Sequence, residues 1–224
     1  MRFGPTAAQE DLRDEVRALL AQLSPPSEVR RLMETEAGYD REAWSALAAR
    51  RLLGDLGWVE RCVVLEEAGR VLLCAPYLAT VTAARFLPEE LQHDVAAGRC
   101  IATLAIAEPT GRWDEAGVAT RAVPSAGGGW RVEGTKSYVV DGCAADVFVV
   151  AARLDGDVRL FVVDATAPGV DRSPLATVDQ TRKQAMVRLG GAPARAVPGT
   201  LDAAVDLSAV ALAAEQVGGA GRCL

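Results

Sequence analysis

The feature that most constrains this chain is a change of hydrophobic period near Cys100. Before it, apolar residues recur every three to four positions, the signature of helices with one buried face. After it, they come in short β-branched runs separated by glycine and aspartate, the signature of strands. A helical layer followed by a strand layer is therefore expected. Thr6-x-x-Gln9 fits a capping box, and Leu12, Val16, Leu19, Leu20 and Leu23 follow it as one stripe. Pro25-Pro26 stops that helix and starts a second one toward Met33. Asp40 caps a third, which bears Trp44, Leu47 and Leu52. Val63, Val64, Leu65, Ala68, Val71 and Leu72 make a broader apolar face, as on a helix buried on more than one side. Pro76 breaks it, and two more helices are expected over Tyr77 to Phe86 and Glu89 to Ala97.

Beyond Cys100 the expected strands are Ile101 to Ala107 and Gly117 to Pro124, the latter turning through Gly127-Gly128-Gly129 into Trp130-Arg131-Val132-Glu133. Asp146 to Ala152 and Val158 to Val163 are joined across Asp155-Gly156-Asp157, a turn tripeptide. Ala185 to Leu189 and Arg195 to Val197 add two more. Short strands at this spacing predict an antiparallel barrel or sandwich. From Asp206 the helical period returns through Leu207, Val210, Ala211, Ala214 and Val217, with no packing partner for that helix evident. The expected class is α+β: an N-terminal all-α helical domain over 1–100, an antiparallel β-barrel domain over 101–200, and over 201–224 the first helix of a C-terminal helical bundle.

Composition removes several function classes. A net charge of -6 without a basic tract gives no footprint for nucleic acid or an anionic membrane surface. No apolar run approaches the roughly 20 residues that span a bilayer. Cys62, Cys74, Cys100, Cys143 and Cys223 are odd in number and widely spaced, which favours free thiols over disulfides or zinc. Met1-Arg2-Phe3-Gly4-Pro5 leads into a polar amphipathic segment and lacks the pattern of a signal peptide, so a cytoplasmic location is expected. His93, the only histidine, lies among charged residues and reads as solvated. No metal site is expected. Glu66-Glu67 reads as a helix face with one residue bonding Arg70, and Arg182-Lys183 as a solvated turn, a ligand phosphate or a partner subunit being its alternative contact. Gly218-Gly219-Ala220-Gly221 lacks the strand and spacing of a dinucleotide fingerprint and reads as close helix packing.

Two segments carry the chemistry. Leu104-Ala105-Ile106-Ala107 runs into Glu108-Pro109-Thr110-Gly111, and Lys136-Ser137-Tyr138-Val139-Val140-Asp141-Gly142 follows. Backbone donors at a strand end beside an aromatic ring can line the edge and face of a flat heteroaromatic group. The pair resembles the flavin-contacting segments of acyl-CoA dehydrogenases, which usually read Thr-Glu-Pro and Lys-x-Trp-Ile-Thr-Asn. Val64-Leu65-Glu66-Glu67-Ala68-Gly69-Arg70 is similar to that family's Leu-Glu-Glu-Leu-Gly helix, and Glu215-Gln216-Val217-Gly218-Gly219-Ala220 to its Ala-x-x-Gly-Gly-Ala helix. The four motifs stand in family order along essentially the whole chain.

The resemblance implies an FAD-dependent acyl-CoA dehydrogenase that removes hydrogens from the α and β carbons of an acyl-CoA thioester. Electrons would pass to an electron-transfer flavoprotein, and the chain would assemble as a homo- or hetero-oligomer with another acyl-CoA dehydrogenase chain. Leu104, Ala105, Ile106, Ala107, Tyr138, Val139 and Val140 would border FAD, and Trp113 the acyl thioester. In the family the catalytic base belongs to the C-terminal domain, so none is assigned within these residues. Ala107 and Val140 stand where threonine is usual, Tyr138 replaces tryptophan, and Arg112-Trp113 replaces a small Gly-Ser pair. Loops near Gly54-Asp55 and Phe86 to Glu90 are short for the family: either deletions that open the substrate side or missing native pieces. The departures leave two alternatives, a non-catalytic partner subunit of a hetero-oligomeric dehydrogenase and a flavin monooxygenase on the same scaffold.

Overall fold

The computed structural model describes residues 4–54 and 56–224; the expectations placed on Met1 to Phe3 and on Asp55 lie outside them. Six helices form the first layer: α1 (Ala7–Leu23), α2 (Pro26–Met33), α3 (Arg41–Ala49), α4 (Trp58–Arg70), α5 (Tyr77–Ala84) and α6 (Glu89–Ala96). Their starts follow the caps in the sequence. Thr6 Oγ1 accepts from the Gln9 N–H at 3.3 Å while Gln9 Oε1 accepts from the Thr6 N–H at 3.0 Å, a complete capping box. Asp40 accepts from the Ala43 N–H at 2.9 Å, and Pro26 opens α2. Helix α4 ends with Leu72 in the left-handed region at φ 51°, donating to the Gly69 carbonyl while Leu73 donates to that of Ala68. That is a Schellman closure with leucine where glycine is the norm. Leu52 falls just beyond α3, and Val71 and Leu72 just beyond α4.

Helices α1 and α4 are held together by charge as well as by packing. Glu67 is 1% exposed, and its two oxygens accept from Arg17 Nε at 2.9 Å and Nη2 at 2.8 Å, with Arg13 Nη1 at 3.2 Å. The expected contact with Arg70 is present at 3.5 Å. Glu67 is nevertheless an interior anchor and not part of a solvated helix face, because three arginines converge on it from α1 and α4.

The strands are β1 (Ala102–Ala105), β2 (Arg121–Pro124), β3 (Trp130–Val140), β4 (Val147–Leu154), β5 (Asp157–Asp164), β6 (Val170–Leu175) and β7 (Gln184–Val197). They close into a barrel: β4 pairs with β2, β2 with β3, β3 with β7, β7 with β5, and β5 with β4. Strand β1 meets the same edge of β4 as β2 does, in parallel, with Ala102–Ala105 opposite Val147–Val150. The β4–β5 hairpin turns on Asp155 and Gly156, both at positive φ (53° and 99°), as the primed two-residue turns require. The interior is apolar, with Phe148 to Ala152 and Leu160 to Val163 almost wholly buried.

Four expectations need correction. Gly117 closes a 3-10 turn (Glu115–Gly117) capped by Asp114, so the strand expected from Gly117 begins only at Arg121. The two strands read at Ala185 and Arg195 are one, β7, because the chain crosses Gly190-Gly191 through a bulge with Gly191 at φ 73°. Strand β6 went unread since Val170–Leu175 is polar and contains Pro174, which an edge position tolerates. The last helix, α7 (Leu201–Cys223), starts five residues before Asp206, where Thr200 Oγ1 accepts from the Ala203 N–H at 3.1 Å.

Helix α7 also has a partner. It lies against α4 so closely that a Cβ on Gly69 would collide with the Glu215 carbonyl oxygen, and one on Gly218 with that of Glu66. Close packing is thus the role of Gly218, as its sequence setting predicts. Gly218→Val is expected to force the helices apart and cost at least the 1–3 kcal/mol typical of overpacking, read from urea unfolding; exposed Gly127 changed to alanine is the control.

Candidate functional site

Between α5, the end of α4, one face of α7 and the rim of the barrel lies a cavity of about 520 Å³. Its barrel side is built by β1 and β3. In β3 the register against β7 slips between Lys136 and Val139, so that Ser137 and Tyr138 together stand opposite Met186 alone. The bulge places Tyr138 at φ 58° and leaves its side chain half exposed. Strained, left-handed residues collect where a site must aim a side chain; Leu72 and Tyr138 both line this cavity. The Ser137 N–H, turned from β7, donates to the Ala107 carbonyl at 2.9 Å, and Thr103 Oγ1 donates to the Val140 carbonyl at 2.7 Å. The two strand ends are stitched side by side.

Alternation along the strands sorts the residues singled out from sequence. Leu104, Ile106, Ala107, Tyr138, Val140 and Trp113 line the cavity. Ala105 and Val139 point into the core (0% and 1% exposed), so only their main chain is available to a ligand. Ser137 also lines the cavity; it is buried, and its Oγ has no hydrogen-bond partner among the described residues. An orphaned buried hydroxyl calls for an explanation. Trp113 stands 62% exposed where the cavity meets a shallow groove along Arg112, Asp114 and Asp206. His93 is exposed on α6, and no cluster suited to a metal occurs among the described residues. All five cysteines are free, and no described helix is long and apolar enough to cross a membrane.

The cavity wall is fixed by Glu108. Its Oε1 accepts from the Ala119 N–H at 3.0 Å, the Thr120 N–H at 2.9 Å and Lys136 Nζ at 2.9 Å. Lys136, wholly buried, donates also to the Ile106 carbonyl at 3.0 Å. Burial works to raise the Glu108 carboxyl, but the Thr120 N–H and the Lys136 charge outweigh it and hold the group below the ordinary carboxylate range. Burial pushes Lys136 down to about 8, against the pull of Glu108. The pair is ionised at neutral pH.

Two polar groups at the other end play a part that their sequence setting did not indicate. Arg182 does not sit in a solvated turn: its Nη2 lies 2.6 Å from Glu215 Oε1, and Lys183 Nζ reaches the Met33 carbonyl at 2.6 Å. Both Arg182 and Glu215 line the cavity. Behind them, burial pushes Asp141 up to about 6 against the pull of Arg182. The available signal was the cavity stripe of α7, Val205, Ala209, Leu212, Glu215 and Gly219, at helical spacing.

Glu108→Ala is expected to strand the Lys136 ammonium and cost about 3–5 kcal/mol. The double change Glu108→Gln with Lys136→Met should recover most of this in urea unfolding. Because the folded Glu108 titrates low, its stabilisation is present above its unfolded value near ~4.3 and fades as pH falls through the folded one. Stability of the double variant should therefore fall less steeply in acid.

Comparison with known proteins covers both the helical layer and the barrel. Residues 103–189 match the model of the acyl-CoA dehydrogenase middle domain. Acyl-CoA dehydrogenase FadE27 of Mycobacterium tuberculosis is 33% identical over 196 residues, 79% of this chain and 51% of the relative. Acyl-CoA dehydrogenase IpdE2 of the same organism is 30% identical over 232 residues, 98% of this chain and 62% of the relative. The chain thus spans between 51% and 62% of the length of these curated relatives. Among solved structures, the ChsE4–ChsE5 complex of M. tuberculosis superposes with a TM-score of 0.86 at 31% identity, over 99% of this chain and 66% of that one. Butyryl-CoA dehydrogenase of Megasphaera elsdenii shares the fold at a TM-score of 0.85 and 18% identity, over 99% of this chain and 68% of that one. With helical layer, barrel, long last helix and these relatives in agreement, the chain belongs to the acyl-CoA dehydrogenase family.

Proposed function

We propose that this chain provides the flavin- and thioester-facing wall of an FAD-dependent acyl-CoA dehydrogenase. The observation that carries the reading is the bulge in β3, which holds the Tyr138 ring half exposed on the cavity wall beside the orphaned Ser137 hydroxyl. A flat ring with a polar edge fits both: Tyr138 offers a stacking face and Ser137 an unspent hydrogen bond. FAD, when bound, supplies the acceptor for the hydride that leaves the β-carbon. Leu104 to Ala107 and Tyr138 to Val140 border it in this assignment. Ala107 and Val140 lack the hydroxyls usual in the family, so polar contacts at those two positions fall to the main chain. Leu104, Ile106 and Val140 keep water from the reacting carbons, and Trp113 walls the entrance where the acyl thioester enters.

The α-proton needs a carboxylate base, and both glutamates near this wall are already ion-paired. Glu108 is committed to Lys136 and two backbone N–H groups, and Glu215 to Arg182. We assign the base to a residue outside these 224, in a C-terminal domain or in a second dehydrogenase chain. The latter reading, a partner subunit in a hetero-oligomer, draws support from the likeness to the ChsE4–ChsE5 complex. An electron-transfer flavoprotein would reoxidise the cofactor.

The test is anaerobic spectroscopy of the native complex purified through this chain. Bound FAD that bleaches on addition of acyl-CoA thioesters is the expected result; a complex without flavin, or flavin reoxidised by oxygen but untouched by any thioester, would sink the proposal. Tyr138→Ala should weaken FAD binding about 3- to 10-fold, the worth of a ring contact beyond its area, measured by fluorescence titration. Unaltered binding would remove Tyr138 from the flavin site.

A further inference from the structure

The cavity changes character along α7. Its wall there is apolar at Val205, Ala209 and Leu212, then polar at Glu215 and Gln216. The stripe from Val205 to Gly219 spans about 20 Å at 1.5 Å per residue. Along its last turns α7 touches α4 backbone to backbone, Gly69 against Glu215 and Gly218 against Glu66, which narrows the cavity there. What reaches this end meets Arg182 and Glu215, both mostly buried (20% and 14% exposed) and joined by a single hydrogen bond. A guanidinium carries five N–H donors. The contact with Glu215 uses one of them; the others and Glu215 Oε2 make no further hydrogen bond among the described residues, although Asp141 and Asp179 add negative charge near the guanidinium. The pair thus presents spare donors and a spare acceptor side by side.

We infer that the acyl group selected by this cavity carries a neutral hydroxyl at the point where it reaches Arg182 and Glu215. The inference rests on the acyl-CoA reading above. A hydroxyl accepts from Arg182 and donates to Glu215, matching both at once. A methyl end would exclude water from the two groups and pair neither, which is the situation polar sites reject most strongly. A terminal carboxylate accepts only. It would face Glu215, which already neutralises Arg182, with Asp179 on the same wall and Asp141 buried behind. Thr181, Gln184 and Gln216 complete a neutral polar surround.

The test compares matched thioesters on the native flavin complex: hexanoyl-, octanoyl- and decanoyl-CoA, their ω-hydroxy counterparts, and the monothioesters of the corresponding dicarboxylic acids. Anaerobic flavin bleaching gives kcat/KM for each. At one length or more the hydroxyacyl-CoA is expected to exceed its alkyl counterpart by about tenfold or more, with the dicarboxylic thioester slowest. Glu215→Gln, which removes the carboxylate paired directly with Arg182, should erase the hydroxyl preference and raise the dicarboxylic thioester relative to the alkyl one. Equal or faster bleaching by the alkyl thioesters at every length overturns the inference and leaves the dehydrogenase reading intact. No bleaching by any thioester overturns both. Because the native complex alone decides, the outcome stands even if the variant does not fold.

Discussion

One carboxylate oxygen organises the working part of this molecule. Glu108 Oε1 gathers Lys136 and the N–H groups of Ala119 and Thr120, so the segment after β1, the approach to β2 and the middle of β3 share a single anchor. A lone buried charge would be prohibitive, and the pair is tolerable because Lys136 meets the carboxylate directly while two backbone N–H groups share the same oxygen. The ladder next to Lys136 is then free to deform. The bulge at Ser137 and Tyr138 follows directly after the pinned lysine, and its strain is carried by bonds on both sides, Ser137 to Ala107 and Thr103 to Val140. The cavity wall is rigid for a reason local to four residues.

The helical layer reaches the same end by other means. Gly69 and Gly218 let two backbones touch, and Glu67 draws α1 onto α4 with bidentate Arg17. Neither contact relies on apolar side chains. Both fix where α7 runs, and α7 supplies the long wall of the cavity.

What could be read from the sequence was whatever is local. The caps at Thr6 and Asp40, the Asp155-Gly156 turn and the apolar runs of β4 and β5 each carry their own signal. The two segments assigned to the flavin were legible because each lies within a few consecutive residues. Illegible were the features set by distant partners. Glu67 looks solvated until α1 arrives, and Arg182 looks like a turn until Glu215 closes on it. Polar β6 becomes a strand only because β7 offers it an edge. Ser137 carries no mark in the sequence; its importance comes from a bulge that leaves its hydroxyl without a partner.

The α4–α7 contact also sets an order of events at the ribosome. Gly69 and Gly218 are about 150 residues apart, so at synthesis rates of roughly 5–20 residues per second α4 waits on the order of 7–30 s for its partner. During that interval the glycine face and its apolar neighbours have nothing to cover them, while the barrel between them can already close. The helical layer is thus the part of the nascent chain whose apolar surface stays open longest, until α7 is made.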